Sequence, residues 1–185
     1  MAVFPQHKHG SPYLCRMKKA WGLLFILFSI NTLAQTDTVA KKLPPFLELP
    51  YVPSYKLLQM DSTRYAYKYQ LKKDQPVVVV YFSPDCEHCR EETRRITDSM
   101  KLLKKVQFVF ASYAPFAQVK QFYKDFNLEK YKNVVYGRDE QFFFPRFYDV
   151  KYTPFVAVYG SDGKLVRVFE GGSSVARILA ALNNE

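Results

Sequence analysis

Cysteine is scarce in this chain of 185 residues, with only Cys15, Cys86 and Cys89. Three cysteines cannot build the dense disulfide framework of a small secreted domain. Histidine is equally sparse, so after residue 34 the soft or imidazole ligands reduce to Cys86, His88 and Cys89. A closed structural zinc site takes four ligands, and His88 between the two cysteines is awkward for a tetrahedron. A long basic run is missing too. The chain has 27 basic and 17 acidic residues, a net charge of +10. Lys8, Arg16, Lys18 and Lys19 precede residue 35 and no acid does, which leaves 23 basic residues against 17 acidic ones. That scattered surplus reads as a solvated surface suited to acidic partners or anionic lipid, and no nucleic acid is expected as a partner. No internal repeat is present.

Residues 1–34 read as an export signal. Lys18-Lys19 forms a basic start, Ala20 to Ile30 an apolar core, and Thr32-Leu33-Ala34 a small-residue cleavage site before Gln35. The apolar core is short for a membrane span, and an uncleaved anchor is the alternative reading. Met17 is itself a natural start, and Cys15 lies before the apolar core, where a lipid-attachment cysteine does not sit. Export places the mature chain in a periplasm or outside the cell, tethered to a membrane if the signal stays. It also leaves Cys86 and Cys89 as the only cysteines. Such a pair serves exchange, or forms one short-loop bridge of little entropic value.

The stretch that organises the chain is Val77-Val-Val-Val-Tyr-Phe82 followed by Ser83-Pro84-Asp85-Cys86-Glu87-His88-Cys89. Six β-branched or aromatic residues predict a strand buried on both faces. Pro84 ends it, and Asp85 is the expected N-cap of a helix beginning near Cys86. Cys89, Thr93, Ile96, Met100 and Leu103 then mark one helical face. Unpaired amides at a helix start favour a thiolate at Cys86, while Cys89 begins the inward stripe. The plainer readings are half a zinc site or two ordinary buried cysteines. A C-x-x-C motif beside a β-α unit favours redox chemistry.

Around this centre, residues 35–55 carry Pro44, Pro45, Pro50 and Pro53 and read as an extended leader of the kind that serves as a Pro-rich spacer. Lys56 to Met60 predicts a first strand, and Arg64 to Tyr69 fits a strand, a helical turn or a loop. Val106 to Ser112 predicts a second buried strand. Pro115 opens a helix striped by Val119, Phe122, Tyr123 and Phe126. Asn133 to Gly137 is a short strand, and Asp139 heads an aromatic-rich helix or turn, Gln141 to Tyr148. Gly160-Ser161-Asp162-Gly163 between two apolar runs marks a hairpin, and Gly171-Gly172 precede a last helix from Ser173 to Asn183. Strands alternating with helices, then a hairpin and a helix, make an α/β domain with a mixed sheet.

At this point the chain resembles the thioredoxin superfamily, and within it the secreted TlpA/ResA-like thiol-disulfide oxidoreductases of bacteria. The match rests on strand-turn-Cys86-Glu87-His88-Cys89-Arg90, on Glu92, and on Tyr152-Thr153-Pro154 before the hairpin. The resemblance implies a thioredoxin-like domain over 56–185, a central mixed β-sheet flanked by helices. It makes Cys86 the nucleophile, Cys89 the resolving thiol and Pro154 a cis proline abutting them. Thr153 would present its backbone to a substrate strand, and Glu92 would tune the thiols; a solvated helix glutamate beside Arg94 and Arg95 is the bland alternative. Three departures stand out. Asp85 replaces a frequent tryptophan, the central strand has no acid, and Val79 stands where a peroxiredoxin would have proline.

The leading expectation is a periplasmic oxidoreductase exchanging disulfides with protein substrates in the reductive direction, with a membrane-linked or soluble electron donor and no cofactor. His88, when protonated, favours the Cys86 thiolate, and Glu87 opposes it. The alternatives are a copper- or other metal-delivery module using Cys86, Cys89 and His88, and a redox-inert binding domain. The oligomeric state is left open.

Overall fold

A computed structural model describes residues 43–183; the export signal and the first part of the leader lie outside the described residues. Among the described residues seven strands and five α-helices follow one another, with two short 3-10 turns at Lys68–Gln70 and Leu128–Lys130. Helix α1 is Pro45–Glu48, β1 Lys56–Leu58 and β2 Tyr65–Tyr67. Then come β3 (Val77–Tyr81), α2 (Glu87–Asp98), β4 (Gln107–Ser112), α3 (Phe116–Asp125) and β5 (Val134–Arg138). The chain finishes with α4 (Phe143–Tyr148), β6 (Phe155–Tyr159), β7 (Leu165–Glu170) and α5 (Val175–Asn183).

The sheet order is β2-β1-β5-β4-β3-β6-β7. Strands β3, β4 and β5 run parallel, and the others pair antiparallel. The mixed α/β sheet is the one the sequence predicts. All five residues of β3 are buried, which is why both of its faces are apolar. Val78, Val80 and Phe82 face a core shared with Cys89, Ile96, Val119, Phe122 and Ile178. Val77, Val79 and Tyr81 face a second core with Phe144, Tyr148 and Phe155. Arg90 ties α2 to α3 through Asp125 at 2.9 Å.

Two expectations change, and one open reading is decided. Helix α2 stops at Asp98, so Met100 and Leu103 reach the core from turns, held by Met100 N–H to Thr97 and Leu103 N–H to Met100. Arg64 to Tyr69 resolves into a strand and a 3-10 turn. The described part of the leader is not a free spacer. Phe46, Val52 and Tyr55 are buried, Val52 N–H donates to Gly163, and Leu165 N–H donates to Pro50. Its apolar residues have sheet surface to cover, so the compact unit begins before residue 56.

Gly137 in β5 lies against β1. A Cβ there would sit 2.7 Å from the Leu57 Cβ and 2.8 Å from the Leu58 carbonyl oxygen. Gly137→Ala is therefore expected to lower the free energy of unfolding by about 1–3 kcal/mol, the usual cost of overpacking, read from the shift of a urea midpoint.

Candidate active site

The turn Phe82 to Asp85 carries the chain from β3 into α2, and the Cys86 N–H donates to the Ser83 carbonyl at 3.2 Å. The N-cap is Cys86, not Asp85. Cys86 has extended backbone angles, and its Sγ accepts the Cys89 N–H at 3.2 Å. Asp85 instead bonds the Ser83 hydroxyl inside the turn, the local competition that draws Asp and Ser into turns. That bond holds the Asp85 carboxyl below the usual carboxylate range. A carboxylate thus stands one residue before Cys86.

Both cysteines are free thiols, Cys86 half-buried and Cys89 fully buried. Burial, with the adjacent Cys86 sulfur adding to it, pushes the Cys89 thiol up to about 12. The Cys86 thiol lies 3.7 Å from the Thr153 carbonyl oxygen, to which it donates. The Thr153–Pro154 peptide bond is cis. The hairpin's entry strand thereby brings residues far along the chain against the start of α2.

Glu92 is completely buried, so the solvated reading of this side chain does not hold. Its Oε2 accepts from Arg95 Nη2 at 2.8 Å and from the Ser173 N–H at 3.0 Å. Oε1 has no hydrogen-bond partner among the described residues. Gly172, with φ +99°, separates Glu92 from Pro154: a Cβ there would meet Glu92 Oε2 at 3.0 Å and Pro154 Cγ at 3.1 Å. The backbone approach is possible only for glycine. The fold therefore gathers Cys86, Cys89, Thr153, Pro154 and, across Gly172, Glu92.

Glu87 and His88 are exposed in the first turn of α2. Among the described residues no three His, Cys, Asp or Glu side chains come together to hold a metal ion, so His88 does not complete a ligand set with the two cysteines. Arg95, Gly172 and Ser173 escape sequence reasoning. Gly171-Gly172 was a visible signal, but it reads only as entry to the last helix until the hairpin folds back on α2.

With this geometry in place, the family model described as a thioredoxin-like domain matches residues 63–185. The chain belongs to the thioredoxin-like family. Thioredoxin-like structures similar to it include a secreted Mycobacterium tuberculosis disulfide oxidoreductase homologous to E. coli DsbE. It is 17% identical, covers 71% of this chain and 96% of its own, and superposes with a TM-score of 0.58. The exposed lipoprotein thioredoxin of Streptococcus pneumoniae is 21% identical over 72% of this chain and 100% of its own, TM-score 0.58. A thiol:disulfide interchange protein of Chlorobium tepidum is 18% identical over 78% and 98%, TM-score 0.57. At such identities what is shared is the fold. A comparison with curated proteins found no match. Family and fold agree with the thioredoxin-like thiol-disulfide oxidoreductase that the motifs resemble.

The two sulfurs differ in access and in burial, which sets an expected order of alkylation. In the reduced protein at neutral pH, iodoacetamide should modify Cys86 first. Cys89, with its thiol raised to about 12, should stay protonated and unlabelled until the pH climbs well above the ordinary thiol range. Peptide mass spectrometry across a pH series reads both; faster labelling of Cys89 would reverse the assignment.

Proposed function

We propose that this chain is an exported thiol-disulfide oxidoreductase of the TlpA/ResA-like kind, acting on protein substrates. The observation that carries the reading is the asymmetry of the pair: Cys86 at the helix start with an N–H aimed at its sulfur, Cys89 buried beneath it. The Cys86 thiolate attacks a substrate disulfide, forming one S–S bond as the substrate's breaks, and the displaced substrate sulfur takes a proton. Cys89 then gives up its proton and attacks the Cys86 sulfur, releasing the second substrate thiol and leaving a Cys86–Cys89 disulfide. A membrane-linked or soluble donor of two electrons restores the dithiol.

In this reading Thr153 and Pro154 line the place of the substrate strand, which the 3.7 Å approach of the Thr153 carbonyl to Cys86 supports. Glu92, buried with one oxygen unpartnered among the described residues, is the acid assigned to tuning the pair. Glu87 and His88 are exposed beside Cys86; His88, when protonated, favours its thiolate and Glu87 opposes it. The likeness in fold to a secreted mycobacterial oxidoreductase and an exposed pneumococcal lipoprotein supports a place outside the cytoplasm. No helix of the described residues is long and apolar enough to cross a membrane.

Removing the resolving thiol tests the scheme. Cys89→Ala should accumulate covalent, reductant-sensitive complexes with client proteins on non-reducing gels, and Cys86→Ala should form none; equal trapping by both variants would refute the order of attack. Direction is tested by the potential of the Cys86/Cys89 couple. The reductive reading expects a value below about −200 mV, nearer thioredoxin than DsbA, measured by equilibration with glutathione. A value close to that of DsbA would make the chain an oxidant.

A further inference from the structure

The ends of the parallel strands opposite the cysteines hold a feature that disulfide exchange does not use. Lys72 precedes β3, Lys101 and Lys104 precede β4, and Lys130 and Lys132 precede β5. Because these strands are parallel, with Val77 beside Gln107 and Phe108 beside Val134, all three approaches converge at one end of the sheet. The two side-chain amide atoms of Gln107 stitch that end, accepting from the Lys72 N–H at 2.6 Å and donating to its carbonyl at 2.9 Å. There the five lysines line one shallow cavity of about 380 Å³ with Met100, Tyr131 and Asn133, and no acidic residue lines it. All five are exposed, and none joins an ion pair among the described residues.

We infer that this lysine-ringed end is a docking surface for an anionic lipid bilayer. Three observations choose lipid over a single anion or an acidic protein. The cations are all lysines, point charges without the planar fork that grips one phosphate or carboxylate. They are spread over three separate segments, as a broad charged plane requires. Two exposed large side chains adjoin them: Leu102, between Lys101 and Lys104 in sequence, is 72% exposed, and Tyr69, three residues before Lys72, is 79% exposed. Tyr69 lines the neighbouring groove with Lys68, Lys72 and Lys73, where Asp74 and Asp162 are the acids. Apolar and aromatic side chains flanked by lysines suit the headgroup boundary of a membrane. Cys86 follows the opposite end of β3, roughly 15 Å of strand away, so a docked molecule keeps its thiols facing outward.

The test uses the full chain and vesicles of phosphatidylcholine, alone or with phosphatidylglycerol at about 30%, a headgroup charge that attracts juxtamembrane lysines. Binding is read by flotation. The wild-type chain should bind the anionic vesicles more tightly, and raising salt should erase the difference. Lys101→Gln/Lys104→Gln/Lys132→Gln should lower anionic-vesicle binding by about tenfold or more while leaving binding to neutral vesicles and the alkylation rate of Cys86 unchanged. Leu102→Ser alone should weaken anionic binding several-fold. Binding through residues 1–34 would persist in the triple variant, so wild-type affinity of that variant overturns the inference. Equal wild-type affinity for both vesicle types overturns it as well, as does salt-sensitive capture of polyglutamate without vesicle binding, which would assign the surface to an acidic protein.

Discussion

Parallel pairing of β3 with β4, and of β4 with β5, is the constraint from which the rest of the molecule follows. Parallel neighbours cannot be joined by a tight turn; each needs a crossover, here α2 and α3. All three strands consequently start at one end of the sheet and finish at the other. The finishing end carries the turn to Cys86, and the starting end carries the lysines. Burial of β3 on both faces also dictates its composition, since an unpaired polar group in that position would cost several kcal/mol. The central strand therefore carries no acid, and the buried carboxylate near the cysteine pair belongs to α2, as Glu92.

Desolvation then differentiates two cysteines that are chemically the same. The first caps the helix and remains partly in solvent. The second lies one turn deeper against Ile96 and the β3 side chains, where its charged form is disfavoured. Glu92 is the less comfortable resident. One oxygen is held by Arg95 and the Ser173 amide, and the other has no partner among the described residues, a condition that costs about 1–3 kcal/mol. The packing of Gly172 between this carboxylate and Pro154 joins the hairpin, the last helix and α2 at one point. Unsatisfied buried polar groups concentrate where function outweighs stability, which fits the tuning role proposed for Glu92.

Much of this was legible from periodicity. The valine run, the C-x-x-C pair at a helix start, the Gly160–Gly163 hairpin and the paired aromatics of α3 each carry their own local signal, and the strands and helices lie where those signals put them. The errors are instructive because each comes from a competing interaction that hydrophobic periodicity does not register. Asp85 lost the cap to Cys86 because Ser83 offered it a nearer partner. The proline-rich leader packs because the outer face of the sheet needed Phe46, Val52 and Tyr55 more than the prolines needed freedom.

The sequence by itself determined the alternation of strands and helices, the apolar centre and the placing of Cys86 and Cys89 one turn apart at a helix start, because these depend on neighbours within a few residues. Only the tertiary structure decided what those sulfurs touch. Thr153 lies 67 residues beyond Cys86 and meets it through antiparallel pairing of β6 with β3. Ser173 lies 81 residues beyond Glu92 and holds it by a backbone amide, a donor that every residue except proline possesses and no motif can announce. The lysines, scattered when read in order, become one surface because strand direction is a property of the sheet and not of any segment in it.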